Sequence, residues 1–258
     1  MKLENETLNS IFTLKSTRKF AKKEIPCEFL DVVLNAALRA GNSGNRQVYS
    51  IVVIEDPKLL KKYFYGGNKA LVFVIDFYRW LHLAKKLGYK IADSIDGLRG
   101  FTISSMDAML AAQNAALAAQ SLGIGSLFTT SLHREDMKEV YKILNLPTKY
   151  CFPYLSLCLG YSEEKEKPLK GRIKKGVIHY GSYSRLTSAE MDEIIAEHDD
   201  DNNNLGFVSE AQRIKEGYDH ALSLYFDKWS KPQPVEEIRN FYQAIKESGF
   251  LEVDKFLS

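Results

Sequence analysis

The sequence is short of cysteine, short of histidine and without an excess of either charge, and each shortage removes a class of function. Three cysteines, Cys27, Cys151 and Cys158, occur in 258 residues. They cannot all pair, and Cys151 and Cys158 lie seven residues apart in one apolar run, which as a strand sends them to opposite faces. The expectation is three reduced, buried thiols in a cytoplasmic protein. The five histidines (His82, His133, His179, His198 and His220) are scattered, so their spacing suggests neither a zinc site nor a hydrolytic triad. Lys and Arg number 35 against 33 Asp and Glu. No global basic field therefore announces nucleic acid or an anionic membrane, and recognition has to come from local charge. The longest small-apolar stretch, Met106 to Leu122, is interrupted by Asp107, Gln113, Asn114 and Gln120 and is too polar to span a bilayer. Met1-Lys-Leu-Glu-Asn-Glu has acids and no apolar h-region, which is not the pattern of a signal peptide.

Common chemical motifs are missing as well. No GxGxxG follows a strand, and GxxxxGK[ST], CxxC, HExxH and GxSxG do not occur. The run Asp199-Asp200-Asp201-Asn202-Asn203-Asn204 lacks the spaced acids, central Gly and terminal Glu of a calcium loop, so no metal is expected. A cofactor would have to carry the chemistry.

What is present is a regular alternation of helical and strand patterns. Helical spacing covers residues 4–13 and 27–39, and nearly continuous β-branched runs, Val48 to Glu55 and Ala70 to Phe77, predict strands buried on both faces. The alanine-rich stretch Ile103 to Leu122 predicts a long central helix stopped by Gly123 and Gly125. Ser126 to Thr130 reads as a strand, Glu135 to Leu144 as a helix and Phe152 to Leu159 as a buried strand ending at Gly160. Glu163 to Lys175 is a charged loop. Helical patterns follow at Ser188 to Glu197, Val208 to Phe226 and Val235 to Ser248, with Asp199 to Asn204 expected as a linker that has no apolar payload. One domain is expected, with residues 1–198 as its core and 199–258 as a helical extension packing on that core.

Three segments have the chemistry to hold a flat, anionic, hydrogen-bonding ligand. Lys15-Ser-Thr-Arg-Lys-Phe20 puts a hydroxyl among basic side chains, Gly41-Asn-Ser-Gly-Asn-Arg-Gln47 clusters small and amide residues between a helix and a strand, and Lys170-Gly-Arg172 follows the last strand. Here the chain resembles the nitroreductase family of FMN-dependent flavoproteins, in its branch of oxygen-insensitive NADPH nitroreductases and NADPH flavin reductases. The match runs from about Leu8 to Tyr183, more weakly to the end, through five pieces in order: Lys15, Ser16, Arg18 and Phe20; Asn42 to Gln47; Gly66, Gly67 and Asn68; MDAMLAAQNAALAAQSLGIGS; and LCLGYSEEKEKPLKGR.

The resemblance implies an α+β fold, a mostly antiparallel central sheet wrapped by helices around a long central helix. It also implies an interlocked homodimer with tightly bound FMN at the interface. The alanines of the central helix would suit such an interface by letting another helix approach closely, or would equally suit a monomer's core. By resemblance Lys15, Ser16 and Arg172 hold the FMN phosphate and ribityl chain, and Arg18 and Lys170 lie near the pyrimidine edge or the phosphate. Asn68 hydrogen-bonds the pyrimidine ring, Asn42, Ser43, Gly44 and Asn45 reach the flavin from the other subunit, and Gln47, which ends that loop, is counted with the cofactor-binding residues. Thr129, Thr130 and Ser131 border the ring where close relatives carry a Gly-Gly pair. Their hydroxyls could donate to the flavin, narrow the pocket or be ordinary strand residues. His133 replaces an Arg of those relatives, which leaves NADPH or NADH open as the donor. The implied activity is ping-pong transfer of hydride from NAD(P)H through FMN to small-molecule acceptors: nitroaromatics, quinones or free flavin. The alternatives are a flavin-fragmenting or dehalogenating relative, or a non-catalytic flavin-binding protein. Neither a nucleic-acid nor a membrane partner is implied.

Overall fold

The structure, a computed structural model, describes residues 5–90, 97–165, 168–206 and 209–251. Contacts within the chain gather into two units, Lys165–Gln233 and the remainder on either side of it; the expected boundary at 198 falls inside the former. The strands are β1 (Tyr49–Ile54), β2 (Lys69–Asp76), β3 (Gly125–Thr129) and β4 (Cys151–Gly160), in the spatial order β1-β2-β4-β3 with every pair antiparallel. The helices are α1 (Glu6–Thr13), α2 (Cys27–Leu38), α3 (Pro57–Tyr63), α4 (Tyr78–Lys86), α5 (Leu98–Ser121) and α6 (Met137–Ile143). Then come α7 (Ser188–Asp199), α8 (Glu210–Lys215) and α9 (Ala221–Trp229) in the second unit, and α10 (Val235–Glu247) back in the first.

The period of two along β2 sorts its side chains between two helical layers. Leu71 and Phe73 join Leu157 and Leu159 of β4 against Val33 and Ala37 of α2 and the alanines of α5. Ala70, Val72 and Val74 join Cys158 against α3, α6 and Ala244 of α10. This is the expected α+β architecture, with β2 and β4 buried on both faces. The edge strand β1 differs: Ser50 to Val53 are only half-buried, because helices cover an edge less completely than a centre.

Two expectations about faces are corrected. Cys151 and Cys158 share a face, opposite Asp76 and Ala70 of β2, because a β-bulge at Tyr154 shifts the register between Phe73 and Val74 and restores the parity that seven residues would break. Cys27 is exposed, standing in the first turn of α2 away from the buried Val33 and Ala37. The alanines of α5 at 111, 112, 115, 116 and 119 face the chain's own sheet and α2, whereas Met106, Met109 and Leu110 make up the exposed apolar stripe. Their small size is thus used inside the chain.

Helix boundaries also move. α5 begins at Leu98 rather than Ile103. The single helix expected over Val208 to Phe226 is α8 and α9, divided where Gly217 adopts φ +81° and the Tyr218 N–H turns back to Arg213 O; Val208 lies outside the described residues. α3 and α4 were not expected, although Asp56 capping α3 with Pro57 behind it is a start signal. The Asp199–Asn204 run is a hydrogen-bonded turn rather than a bare linker: Asp199 accepts from the Ala221 N–H and the His220 ring, and Asp200 from the Asn202 N–H. No helix among the described residues is long and apolar enough to cross a membrane.

Candidate functional site

The basic segment is a strap laid across one end of the sheet. Ser16 bridges Ser126 in β3, the Thr17 N–H donates to Ser126 O at 2.8 Å, Phe20 bridges Ser162, and the Ala21 N–H donates to Tyr161 O. Farther along, the Lys23 ammonium lies 3.9 Å from the Tyr161 ring centroid, and the Ile25 N–H donates to Asn68 Oδ1 at 2.8 Å. Two glycines make room for the strap. A Cβ at Gly125 would stand 2.4 Å from Thr17 Oγ1, and one at Gly160 would stand 2.7 Å from the Phe20 ring. Lys69, Leu159, Ser126 and Ser16 fall in one row, so Asn68 and Ser16 lie at one sheet end about 14 Å apart by strand spacing.

Along the strap the buried side chain is Thr17, while Lys15, Ser16 and Arg18 are exposed. The Arg18 N–H is held by Glu164 Oε1 at 2.8 Å. Asn68 has its oxygen committed to Ile25, so its Nδ2 group is the part left to meet a ligand carbonyl. Neighbouring Lys69 is paired with Glu55 at 2.8 Å and Glu24 at 3.6 Å, which keeps its ammonium occupied.

Loop 41–47 lies at the other end of the sheet, leading into β1 where Tyr49 pairs with Ile75. β2 separates the two ends by about 23 Å. Within one chain, then, the strap residues and Asn42, Ser43, Gly44, Asn45 and Gln47 are not brought together. Among the described residues, other helices hold the loop at three points, and Asn42 Nδ2 also donates to Ala40 O at 3.4 Å. Asp107 Oδ1 of α5 accepts from the Ser43 N–H at 2.9 Å, Trp80 Nε1 of α4 donates to Arg46 O at 2.7 Å, and the Arg79 guanidinium donates to Gln47 O. Inside it, Asn42 Oδ1 accepts from the Gln47 N–H and Arg46 donates to Ser43 O and Ser43 Oγ. Gly44, Asn45 and Gln47 all have φ between +50° and +60°. Left-handed backbone at two non-glycine residues is strained, and such strain concentrates where a loop meets a ligand.

Thr129 ends β3, and Ser131 opens a short 3-10 turn after it. Ser131 Oγ donates to Tyr63 O at 2.8 Å and Thr129 Oγ1 accepts from the Ser131 N–H, so both hydroxyls are engaged locally, whereas Thr130 is exposed. His133 is not presented to a ligand. Its ring packs between Phe152 and Phe241, Nε2 lies 2.9 Å from Pro153 O, and burial pushes its pKa below the usual histidine range.

Lys170 and Arg172 belong to the second unit. Lys170 Nζ donates to Asn204 Oδ1 and Gly206 O, Arg172 Nη1 donates to Lys170 O and Gly171 O, and a Cβ at Gly171 would strike Asn203 O. The acid-amide turn thus holds the Lys-Gly-Arg segment, a link that its composition did not reveal. Asp107, Arg79 and Trp80 were also missed, although a lone acid in an alanine-rich helix was a visible signal. No group of three or more metal-ligating side chains occurs among the described residues.

A sequence model of the nitroreductase family matches residues 88–161, from the segment before α5 through β4. An NADPH-dependent oxidoreductase of Staphylococcus epidermidis is 31% identical over 191 residues, covering 70% of this chain and 75% of that protein. An FMN reductase (NADPH) of Bacillus subtilis is 28% identical over 189 residues, again with 70% and 75% covered. The solved structure of the NfrA1 nitroreductase from B. subtilis superposes with a TM-score of 0.78 at 24% identity, covering 95% of this chain and 98% of that one, a likeness of fold. The glycine-relieved strap, the α5 and β4 core and these relatives agree, and the chain belongs to the nitroreductase family.

Proposed function

We propose that the protein is an FMN-dependent oxidoreductase acting as a homodimer, with each flavin held by the strap of one subunit and loop 42–47 of the other. The observation that carries this reading is the separation of strap and loop at opposite ends of one sheet. One chain holds two half-sites, and pairing two chains completes both.

The residues fit the cofactor. Lys15 and Ser16 offer an exposed ammonium and hydroxyl to a phosphate dianion, and the Asn68 Nδ2 group, for which the described residues supply no acceptor, can donate to a ring carbonyl. Arg18 stands on the same strap, where a cation at the pyrimidine edge stabilises the negative charge of two-electron reduction, or assists at the phosphate. Gly66, at φ +69° with open space about its Cβ direction, leaves room beside Asn68. Thr129, Thr130 and Ser131 border the acceptor side. Loop residues Asn42 to Gln47 present backbone and amide groups to the partner's flavin. For Lys170 and Arg172 the phosphate role rests on the family resemblance. Bound FMN supplies the redox chemistry, accepting hydride from NADPH or NADH and passing two electrons to nitroaromatics, quinones or free flavin in a ping-pong cycle.

The test is the visible spectrum of the purified protein, supplied with FMN, followed without air by separate additions of NADPH and NADH. Flavin bands that bleach are expected, and the faster nucleotide identifies the donor. A protein that takes up no FMN, or whose flavin neither nucleotide bleaches, refutes the proposal.

A further inference from the structure

Asp107 is a buried carboxylate, 2% exposed, on the alanine-rich face of α5, where the other buried polar side chain, Ser104, is satisfied by Gly100 O. Oδ1 accepts the Ser43 N–H at 2.9 Å, while Oδ2 is buried with no donor among the described residues. An acid with one oxygen unsatisfied in a low-dielectric site lowers stability, so its presence on this face calls for a role other than packing. What it touches supplies one. Loop 42–47 is gripped from outside through two carbonyls, Arg46 O by Trp80 and Gln47 O by Arg79, and through one N–H, that of Ser43, by Asp107. Between these grips stand Gly44 and Asn45 at φ +60° and +55°. Left-handed backbone at the non-glycine Asn45 persists only where its surroundings over-determine it, and on the amino-terminal side of the bend Asp107 is the anchor from another element among the described residues, beside the longer bond from Asn42 Nδ2 to Ala40 O at 3.4 Å.

We propose that Asp107 is a positioning residue: through the Ser43 N–H it holds loop 42–47 in the strained shape that receives the partner's flavin. The link to flavin rests on the function proposed above; the link to the loop does not. An anchor on α5 also ties the loop to a helix whose alanines are packed in the core of its unit, where a small displacement costs more than in a surface turn.

The experiment compares wild type, Asp107→Ala and Asp107→Asn by amide hydrogen exchange over residues 42–47 and by FMN affinity from fluorescence quenching. In Asp107→Ala the loop amides are expected to exchange at least tenfold faster while those of α5 stay protected, and FMN to bind about tenfold more weakly, the scale of one lost charge-assisted hydrogen bond. Asp107→Asn keeps an oxygen for Ser43 and removes the unsatisfied charge. It is expected to restore both readouts with no loss of melting temperature. Unchanged loop exchange in Asp107→Ala overturns the proposal, as does loss of loop protection in a folded Asp107→Asn, which alone decides the matter if the alanine variant does not fold. A wild type that fails to bind FMN refutes the proposed function, and loop exchange still judges the anchor.

Discussion

His133 stands where the family resemblance placed an arginine, and its ring is wedged between Phe152 of β4 and Phe241 of α10. The segment after β3 looks outward in one dimension, and only the return of α10 covers it. Because burial lowers its pKa, the folded protein takes up that proton less readily than the unfolded chain, whose histidine titrates near 6.5. The sign follows: stability is complete above pH about 6.5 and falls as acid approaches the lowered value, by at most about 1.4 kcal/mol per pH unit. Melting temperatures at pH 7.5 and pH 5 should therefore diverge more in wild type than in His133→Phe. An equal acid loss in both proteins would clear His133 of the effect. The thiols follow the same logic, since burial pushes Cys158 up to about 12 and Cys151 upward as well, keeping both protonated at neutral pH.

At the scale of elements, the strap depends on the two glycines beneath it. Gly125 and Gly160 are register partners in β3 and β4, and the strap crosses both with Thr17 and Phe20. Gly125→Ala drives a methyl into Thr17 and is expected to destabilise the protein by about 1–3 kcal/mol, the usual cost of overpacking. Thr17→Gly removes both atoms of the clash, so urea denaturation of the double variant should show much of that loss recovered. Strictly additive losses would mean that the strap does not lie on Gly125. Gly125 was legible as a helix stop and Gly160 as a strand end, but their second use was not, because the strap that needs them is more than a hundred residues away in sequence. The bulge at Tyr154 was hidden for a related reason: an extra residue in a strand is defined by its partner strand and leaves no period of its own.

At the scale of the whole molecule, the distribution of half-sites predicts complementation between subunits. Arg18→Ala damages the strap and Gly44→Val the loop, where a β-branched side chain at φ +60° is strained. Each homodimer is expected to bind FMN poorly, whereas refolded mixtures should recover up to one intact site in each mixed dimer. Flavin content in mixtures no higher than the average of the two parents would refute a flavin site shared between the strap of one subunit and the loop of the other. Met106, Met109 and Leu110 form a half-exposed apolar stripe along α5.

The patterns of apolar residues were enough to find the four strands and the central helix, because burial on a sheet or along a helix imposes a period that survives in one dimension. Order of motifs was enough for the family. Which way the alanines of α5 face, which thiols share a side, and what His133 touches were left to tertiary structure, since each depends on a neighbour remote in the chain. The same holds for the site. Lys15, Arg18 and loop 42–47 could be named from their residue types, but their placement at opposite ends of one sheet, and the anchoring of that loop by Asp107, arise only when α5 and the strands have packed.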